Sequence, residues 1–394
     1  MRLAQSHRAH PVVYDPRSNS WFVHGYDDVR RLLVDERLSA DRMHRLAERA
    51  PAAVEAVRRR APWLLSAPGD DYDWIGPIVR AGLRGANDPA WRALINETAD
   101  ELLDELLQRD RLEIVGDYAL ALSGAMAAAL LGVDRRDGPR LIGWGLDLVT
   151  FFNDVDVTAQ GAEQMARSAT AAVDYARRVL SDDGAAASHG FLSLVARAAA
   201  HEGRRLDQAS VASVTLPVLT GHVDAAHLIA TTVWLLLSHD DQRAKLLDDP
   251  RLWGGAIAET LRFGSPVALV PRVALQPLTV SGHRLQPGAR VHLSLAAANR
   301  DPARFRDPER FEITRPQRGA LAFGYGIRGC VAAGLARAYA ATAAQSLLRR
   351  APDIALDSEG TVSWREIPGI RALERMDVRV GGAPGEPAVP QPAP

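Results

Sequence analysis

Apolar and polar positions follow two different periods along the chain, and the change of period divides it. From about residue 50 to 250 the pattern is overwhelmingly helical. This predicts helices over about 89–108, 113–131, 140–152, 160–181, 190–201, 207–238 and 240–247, parted by short polar or Gly/Asp segments. The longest, 207–238, is apolar on nearly all sides at its centre, as expected of a helix that crosses the core. Ahead of this block, Trp21-Phe22-Val23 beside an SNS turn reads as a strand. Val29, Leu32 and Leu33 behind Asp27 and Asp28 read as a helix. Beyond residue 265 the runs LVPRVAL, LTVSG and ARVHLSL, punctuated by Gly and Pro, predict short strands. A helix starting near Cys330 and running through 334–349 precedes further strand signals to about residue 380. Many helices followed by small sheets predict an α+β fold, predominantly α-helical, forming one unit over residues 1–381. The Pro/Gly-rich tail, 382–394, lacks apolar periodicity and is expected to be disordered.

Composition narrows the function classes. At 394 residues, 47% hydrophobic and 24% charged, the chain can bury a large core. A net charge of -1 offers no bulk attraction to nucleic acid or an anionic membrane, so neither is expected as a partner. A single cysteine excludes an internal disulfide framework. No basic stretch followed by an apolar run marks the N-terminus as a signal peptide, so a cytoplasmic location is expected. Apolar stretches such as LIATTVWLLL at 228–237 fall short of the roughly 20 residues needed to span a bilayer.

Candidate chemistry gathers in FGYGIRGC, 323–330. Gly324, Gly326 and Gly329 fit a dinucleotide fingerprint, but that loop should follow a strand opening a βαβ unit and have an acid about 20 positions on. These glycines come late in the chain, behind a Pro/Arg/Gly-rich segment. The other reading is a tight turn that aims backbone N–H groups at the Cys330 sulfur beside a helix start, where both favour a thiolate metal ligand. A lone cysteine with no such context is a small buried hydrophobe.

The segment FGYGIRGCVAAGLAR, 323–337, resembles the haem-binding signature of cytochromes P450, FGxGx[HR]xCxG. Glu259-Thr-Leu-Arg262 matches that family's ExxR helix motif about 70 residues earlier. Similarity extends through PVALVPRVAL, LSLAAANRDPARFRDPERF, DDVRRLLVDERLS and GHVDAAHLI, covering nearly the whole chain and looking most like the soluble bacterial members.

The resemblance implies a P450-like fold with a long central distal helix, and haem b bound through Cys330 as axial thiolate. It implies Phe323 packed beside the sulfur, with Gly324 and Gly326 shaping the loop. Glu259 and Arg262 would form a buried pair joined by an arginine from 300–318, and Arg272 and Arg328 would hold haem propionates. The partners implied are a small-molecule substrate and either a ferredoxin-type electron donor or peroxide. The donor would dock where Arg80, Arg84 and Arg337 add positive charge.

Three departures from the family pattern stand out. Members commonly read AGxET or AGxDT on the distal helix. Here Gly221 keeps the small residue that leaves room for dioxygen, but Val223 occupies the acid position and Asp224 the threonine position. One residue is a rotation of about 100°, so Asp224 replaces the hydroxyl rather than the acid. It is expected to relay protons or to contact a polar substrate, the plainer alternative being a helix acid held by an arginine. His222 and His227, five apart, are expected to be packing and hydrogen-bonding residues. In DDYDWIGPIVRAGL, 70–83, the HxxxR anchors of the family become Tyr72 and Gly76, with Tyr72 and Trp74 left as candidates near the porphyrin. Ala332 replaces the glycine two after the cysteine.

The expected function is oxidation of a small organic molecule in specialised metabolism, by hydroxylation or by oxidative coupling or ring formation. The alternative is a P450-derived partner or binding protein that has lost oxygen activation.

Overall fold

The computed structural model describes residues 11–40, 50–61, 77, 89–154, 158–181, 190–316, 319–326, 329–367 and 369–381. The expected tail, 382–394, lies outside them. In chain order the elements begin with β1 (Val12–Asp15), β2 (Ser20–Val23), α1 (Tyr26–Leu32), β3 (Leu38–Ser39), α2 (Pro51–Arg60), α3 (Pro89–Leu106) and β4 (Arg111–Glu113). A π-helical stretch, Ile114–Leu120, runs into α4 (Ala121–Leu131), followed by α5 (Gly138–Asn153), α6 (Ala159–Ser181), α7 (Phe191–His201), α8 (Gln208–Leu237), α9 (Asp240–Asp248) and α10 (Trp253–Phe263). The last third holds β5 (Leu269–Ala274), β6 (Leu278–Val280), β7 (His283–Leu285), β8 (Arg290–Ser294), α11 (Leu295–Ala298), α12 (Ala333–Arg350), β9 (Ala355–Leu356), β10 (Val362–Trp364) and β11 (Leu373–Arg379).

The axis of the molecule is α8, whose 30 residues extend about 45 Å. Asp207 caps it, its Oδ1 accepting from the Ser210 amide at 2.8 Å and satisfying one of the orphan donors of the first turn. Helices α4, α5, α6, α10 and α12 all pack on it. Such a helix must be apolar on every side that meets a neighbour, which is why its sequence lacks a strong polar face. Close approach is bought by small residues: a Cβ on Gly145 of α5 would stand 2.8 Å from the carbonyl oxygen of Leu219 in α8.

The sheets flank this bundle. A five-stranded sheet runs β1-β2-β8-β5-β3, with β2 and β8 parallel and the other pairs antiparallel. Its register sets Arg272 opposite Val291. A second sheet orders β10-β11-β4, with β9 also on β11. The β6–β7 hairpin turns through Ser281 and Gly282, both at positive φ.

The pattern-based helices stand within a few residues of their expected ends, with one local difference. The stretch expected as a single helix over 113–131 begins with the π-helical turn, because the Glu113 carboxylate accepts from the amides of Val115 and Gly116 and reshapes the first turn. The span Ile114–Leu131 is also long and apolar enough to cross a bilayer by composition, which the expectation for apolar stretches had not included. Here 72% of it is buried inside the molecule, against the main core.

Two glycines of α5 make the packing argument testable. Gly143 faces open space, so Gly143→Ala should stabilise by about 0.5–1 kcal/mol through helix propensity. Gly145→Ala gains the same propensity but meets the Leu219 backbone, and should destabilise by about 1–3 kcal/mol. Urea midpoints followed by far-UV circular dichroism should move in opposite directions.

Candidate functional site

The glycine loop is built by backbone hydrogen bonds that bring Cys330 back beside Phe323. The Gly324 amide donates to Leu321 at 2.8 Å, Gly329 to Gly326 at 3.0 Å, and Cys330 to the Phe323 carbonyl at 2.8 Å. Gly324 and Gly326 have φ of 72° and 73°, a conformation that side chains rarely tolerate. Gly326 also abuts the turn after α1, where an added Cβ would collide with Val34 Cγ1. Arg30 of α1 donates to Tyr325 Oη at 2.6 Å. The Phe323 ring lies beneath the Arg337 guanidinium, 4.6 Å from its carbon. Arg337 and Phe323 line a hollow of about 320 Å³ behind the loop, together with Arg262 and Arg315.

Cys330 is exposed as a residue, yet enough protein surrounds its thiol to alter its acidity. Desolvation pushes its pKa up; the Ala332 amide opposes this, the nearby Asp224 charge adds to it, and Arg337 opposes it. The expected preference of a loop N–H for the thiolate is felt through the Ala332 amide. Helix α12 starts three residues later, at Ala333, and burial outweighs the single N–H contact. A coordinated cation reverses that balance, since metal-bound thiols are deprotonated.

Behind the loop, Glu259 and Arg262 form a bidentate pair, with both N···O distances 2.8 Å and exposures of 1% and 2%. The arginine expected from 300–318 is Arg315, whose Nε donates to Glu259 Oε1 at 3.1 Å. Arg262 also donates to the carbonyls of Asn299, Pro308 and Arg310. Asn299 in turn accepts the Leu321 amide on its Oδ1 at 2.6 Å. A continuous chain of bonds thus runs from the helix motif to the root of the cysteine loop.

Opposite the loop, α8 interrupts its burial. Between Ser210 and Leu236 only Pro217, Thr220, Gly221 and Asp224 are not buried, a spacing that defines one helix face. A Cβ built on Gly221 meets nothing within 4 Å. Thr220 does not restore the missing hydroxyl, because its Oγ1 donates to backbone, with Leu216 and Pro217 carbonyls both 3.2 Å away. Asp224 makes no hydrogen bond or ion pair among the described residues, and desolvation pushes its pKa up to about 7. The arginine considered as its holder is absent among them.

The two histidines behave differently. His222 meets the expectation, its Nδ1 lying 2.7 Å from the Val218 carbonyl and its ring packing near Tyr339. His227 is a correction: it is fully buried, but neither ring nitrogen has a hydrogen-bond partner among the described residues. Burial and the Arg365 charge lower its pKa to about 3.

Arg272 is 9% exposed on β5, with Nη1 donating to the Pro271 carbonyl at 2.9 Å. Arg328, Tyr72, Trp74, Gly76, Arg80 and Arg84 lie outside the described residues. Sequence reasoning missed Asn299 and Arg365, whose partners are remote in the chain and carry no local signal.

The sequence profile described as Cytochrome P450 matches residues 245–350. The chain is 32% identical to Cytochrome P450 107B1 of Saccharopolyspora erythraea, over 92% of this chain and 90% of that one. It is also 32% identical to Cytochrome P450 monooxygenase PikC of Streptomyces venezuelae, over 96% and 89%. Among solved structures, P450BioI in complex with a hexadec-9Z-enoic acid ligated acyl carrier protein superposes with a TM-score of 0.85. There the identity is 27%, and 96% of this chain and 98% of that one are covered.

Two stability tests follow from this geometry. Glu259→Ala strands a buried guanidinium and should destabilise by about 3–5 kcal/mol in denaturant unfolding. His227 takes a proton more readily unfolded than folded, so its contribution is complete above about pH 6.5 and is lost as pH falls toward 3. His227→Leu should flatten this acid limb of the stability curve; an unchanged limb would show that His227 is not held neutral.

Proposed function

The chain belongs to the cytochrome P450 family and is an enzyme of the monooxygenase or oxidase type, and from that premise we propose that it tailors a specialised metabolite by oxidising a small organic molecule at haem b held by Cys330. The carrying observation is the incompletely buried face of α8, which bears Gly221 and Asp224 and whose Asp224 charge acts on the Cys330 sulfur. Relatives named 6-deoxyerythronolide B hydroxylase and Polyketide biosynthesis cytochrome P450 PksS support the substrate class.

The donor set suits the group: one soft sulfur on a braced loop, a helix face without side-chain bulk at Gly221, and a guanidinium at Arg272. When bound, haem iron with thiolate ligation supplies the activation of dioxygen or peroxide. Cys330 provides the ligand, and the Ala332 amide restrains its charge. Phe323, Gly324 and Gly326 fix the loop that carries it, while Glu259 and Arg262 hold that loop from behind. Arg272 and, by the sequence resemblance, Arg328 would anchor the propionates, with Tyr72 a candidate for one further hydrogen bond.

Asp224 takes the place of the usual alcohol as the proton carrier at the reacting centre. An unpartnered carboxyl with a pKa of about 7 can both give and accept a proton near neutral pH. Electrons would arrive from a ferredoxin-type donor at the Arg337 face, or with peroxide in place of donor and dioxygen. The altered acid–alcohol pair supports oxidative coupling or ring closure alongside hydroxylation. Product mass separates them, since hydroxylation adds one oxygen and coupling removes two hydrogens.

The protein reduced under carbon monoxide should show the red-shifted thiolate Soret band, and Cys330→Ser should lose it. Absence of the band in the wild-type protein supplied with haem would overturn the proposal. Asp224→Ala should lower donor-driven turnover at least tenfold or change the product ratio. Unchanged rate, coupling and substrate affinity would remove Asp224 from the mechanism.

A further inference from the structure

The face of α8 that carries Asp224 does not end there. His227 and Thr231 lie three and seven residues on, within about 60° of Asp224 around the helix, so they continue the same stripe into the buried interior. Both are fully buried, and the two His227 ring nitrogens and Thr231 Oγ1 have no hydrogen-bond partner among the described residues. Thr231 meets the C-terminal end of α10, its Cγ2 lying 2.8 Å from where a Cβ on Gly264 would stand. One turn back on α10, the buried Thr260 also has an unpartnered hydroxyl.

The stripe is felt from the end of β10. Arg365, the residue after that strand, is half-buried; its charge acts on His227, and its Nε is buried without a partner. The next residue, Glu366, is exposed. A neutral imidazole presents one donor and one acceptor, each threonine hydroxyl presents both, and the arginine Nε presents a donor. Unpaired polar atoms of both kinds concentrated along one seam are what a buried water needs, namely two to four polar partners.

We propose that His227, Thr231, Thr260 and Arg365 Nε hold ordered water along the seam between α8 and α10, and that this water carries protons from the Arg365 surface to Asp224. The proton-carrying half rests on the haem-thiolate reading, whereas the hydration does not. Each proton delivered to Asp224 is replaced by one taken from bulk water at Arg365, so the seam returns to its starting state and nothing in it is oxidised or reduced. His227 acts here as a positioning residue: it orients water and need not become charged. Leu235 of α8 lies 3.5 Å from the same Gly264 position and places an apolar side chain beside the seam.

A high-resolution crystal structure of the haem-loaded protein should show ordered water within hydrogen-bonding distance of the His227 ring and of Thr231 Oγ1. A dry imidazole would overturn the proposal. The functional half is read without an organic substrate, as peroxide released per dioxygen consumed with a surrogate ferredoxin and its reductase. His227→Leu, and the milder Thr231→Val, should each raise that fraction at least threefold and alter the solvent deuterium isotope effect. Thr232→Val, whose hydroxyl is already bonded to the Leu228 carbonyl at 2.7 Å, should change neither. Equal fractions in all four proteins would overturn the proton path. Loss of the thiolate carbon monoxide band from the wild-type protein would sink the haem reading and the proton path with it, while the water at His227 would stand.

Discussion

The Glu259–Arg262–Arg315 cluster is the constraint from which the cysteine side of the molecule is built. The segment from 301 to 316 has no helix or strand, so its carbonyls need partners from elsewhere. Arg262 and Arg315 supply them, satisfying the carbonyls of residues 306, 307, 308 and 310 from one ionic core. Such a core is a weak source of net stability, because its desolvation offsets much of its attraction. Its value is geometric, since guanidinium forks fix the directions of the chain segments they bind. Through Asn299 that geometry passes to Leu321 and so to the loop carrying Cys330.

The opposite wall is fixed by a different kind of force. Helix α8 is held by packing on nearly every side, so any residue on it left uncovered is placed with the precision of a core. This is why four incompletely buried positions on one face are informative. Gly221 offers space without motion. Asp224 is a carboxyl that no charged neighbour among the described residues compensates, so its protonation is set by the dielectric of the space it enters rather than by a salt bridge. The two walls meet electrostatically, because the Asp224 charge is felt at the Cys330 sulfur.

How much of this was legible depended on whether the signal was local. Long helices such as α8 and α12 could be read because burial imposes a repeating pattern over many turns. The glycine loop could be read because two left-handed positions in eight residues admit little besides glycine. Helix α2 lies in a stretch that reads as helical but gives no bounds of its own: its buried residues Ala53, Val54 and Val57 are too few and too small to stand out against three consecutive arginines. The two-residue strands β3 and β9 exist only through pairing with β5 and β11, and carry no period of their own. An arginine for Glu259 was foreseen by region, but its identity as Arg315 depends on how an irregular segment folds back. The bare His227 was misjudged for the converse reason, since a histidine in sequence gives no sign of whether a partner will arrive.

Asp224, His227 and Thr231 stand on one face of α8, and none of their side chains has a hydrogen-bond partner among the described residues. A single buried polar atom left unpaired costs about 1–3 kcal/mol, and His227 and Thr231 alone hold three. A core that needed only stability would replace them with leucine or valine at no loss of packing. Their presence on the helix that lacks the usual hydroxyl suits one cause for the two departures. If the alcohol no longer organises water at the reacting centre, then water must be organised further along the helix, and the residues able to do so are the ones the packing leaves unsatisfied.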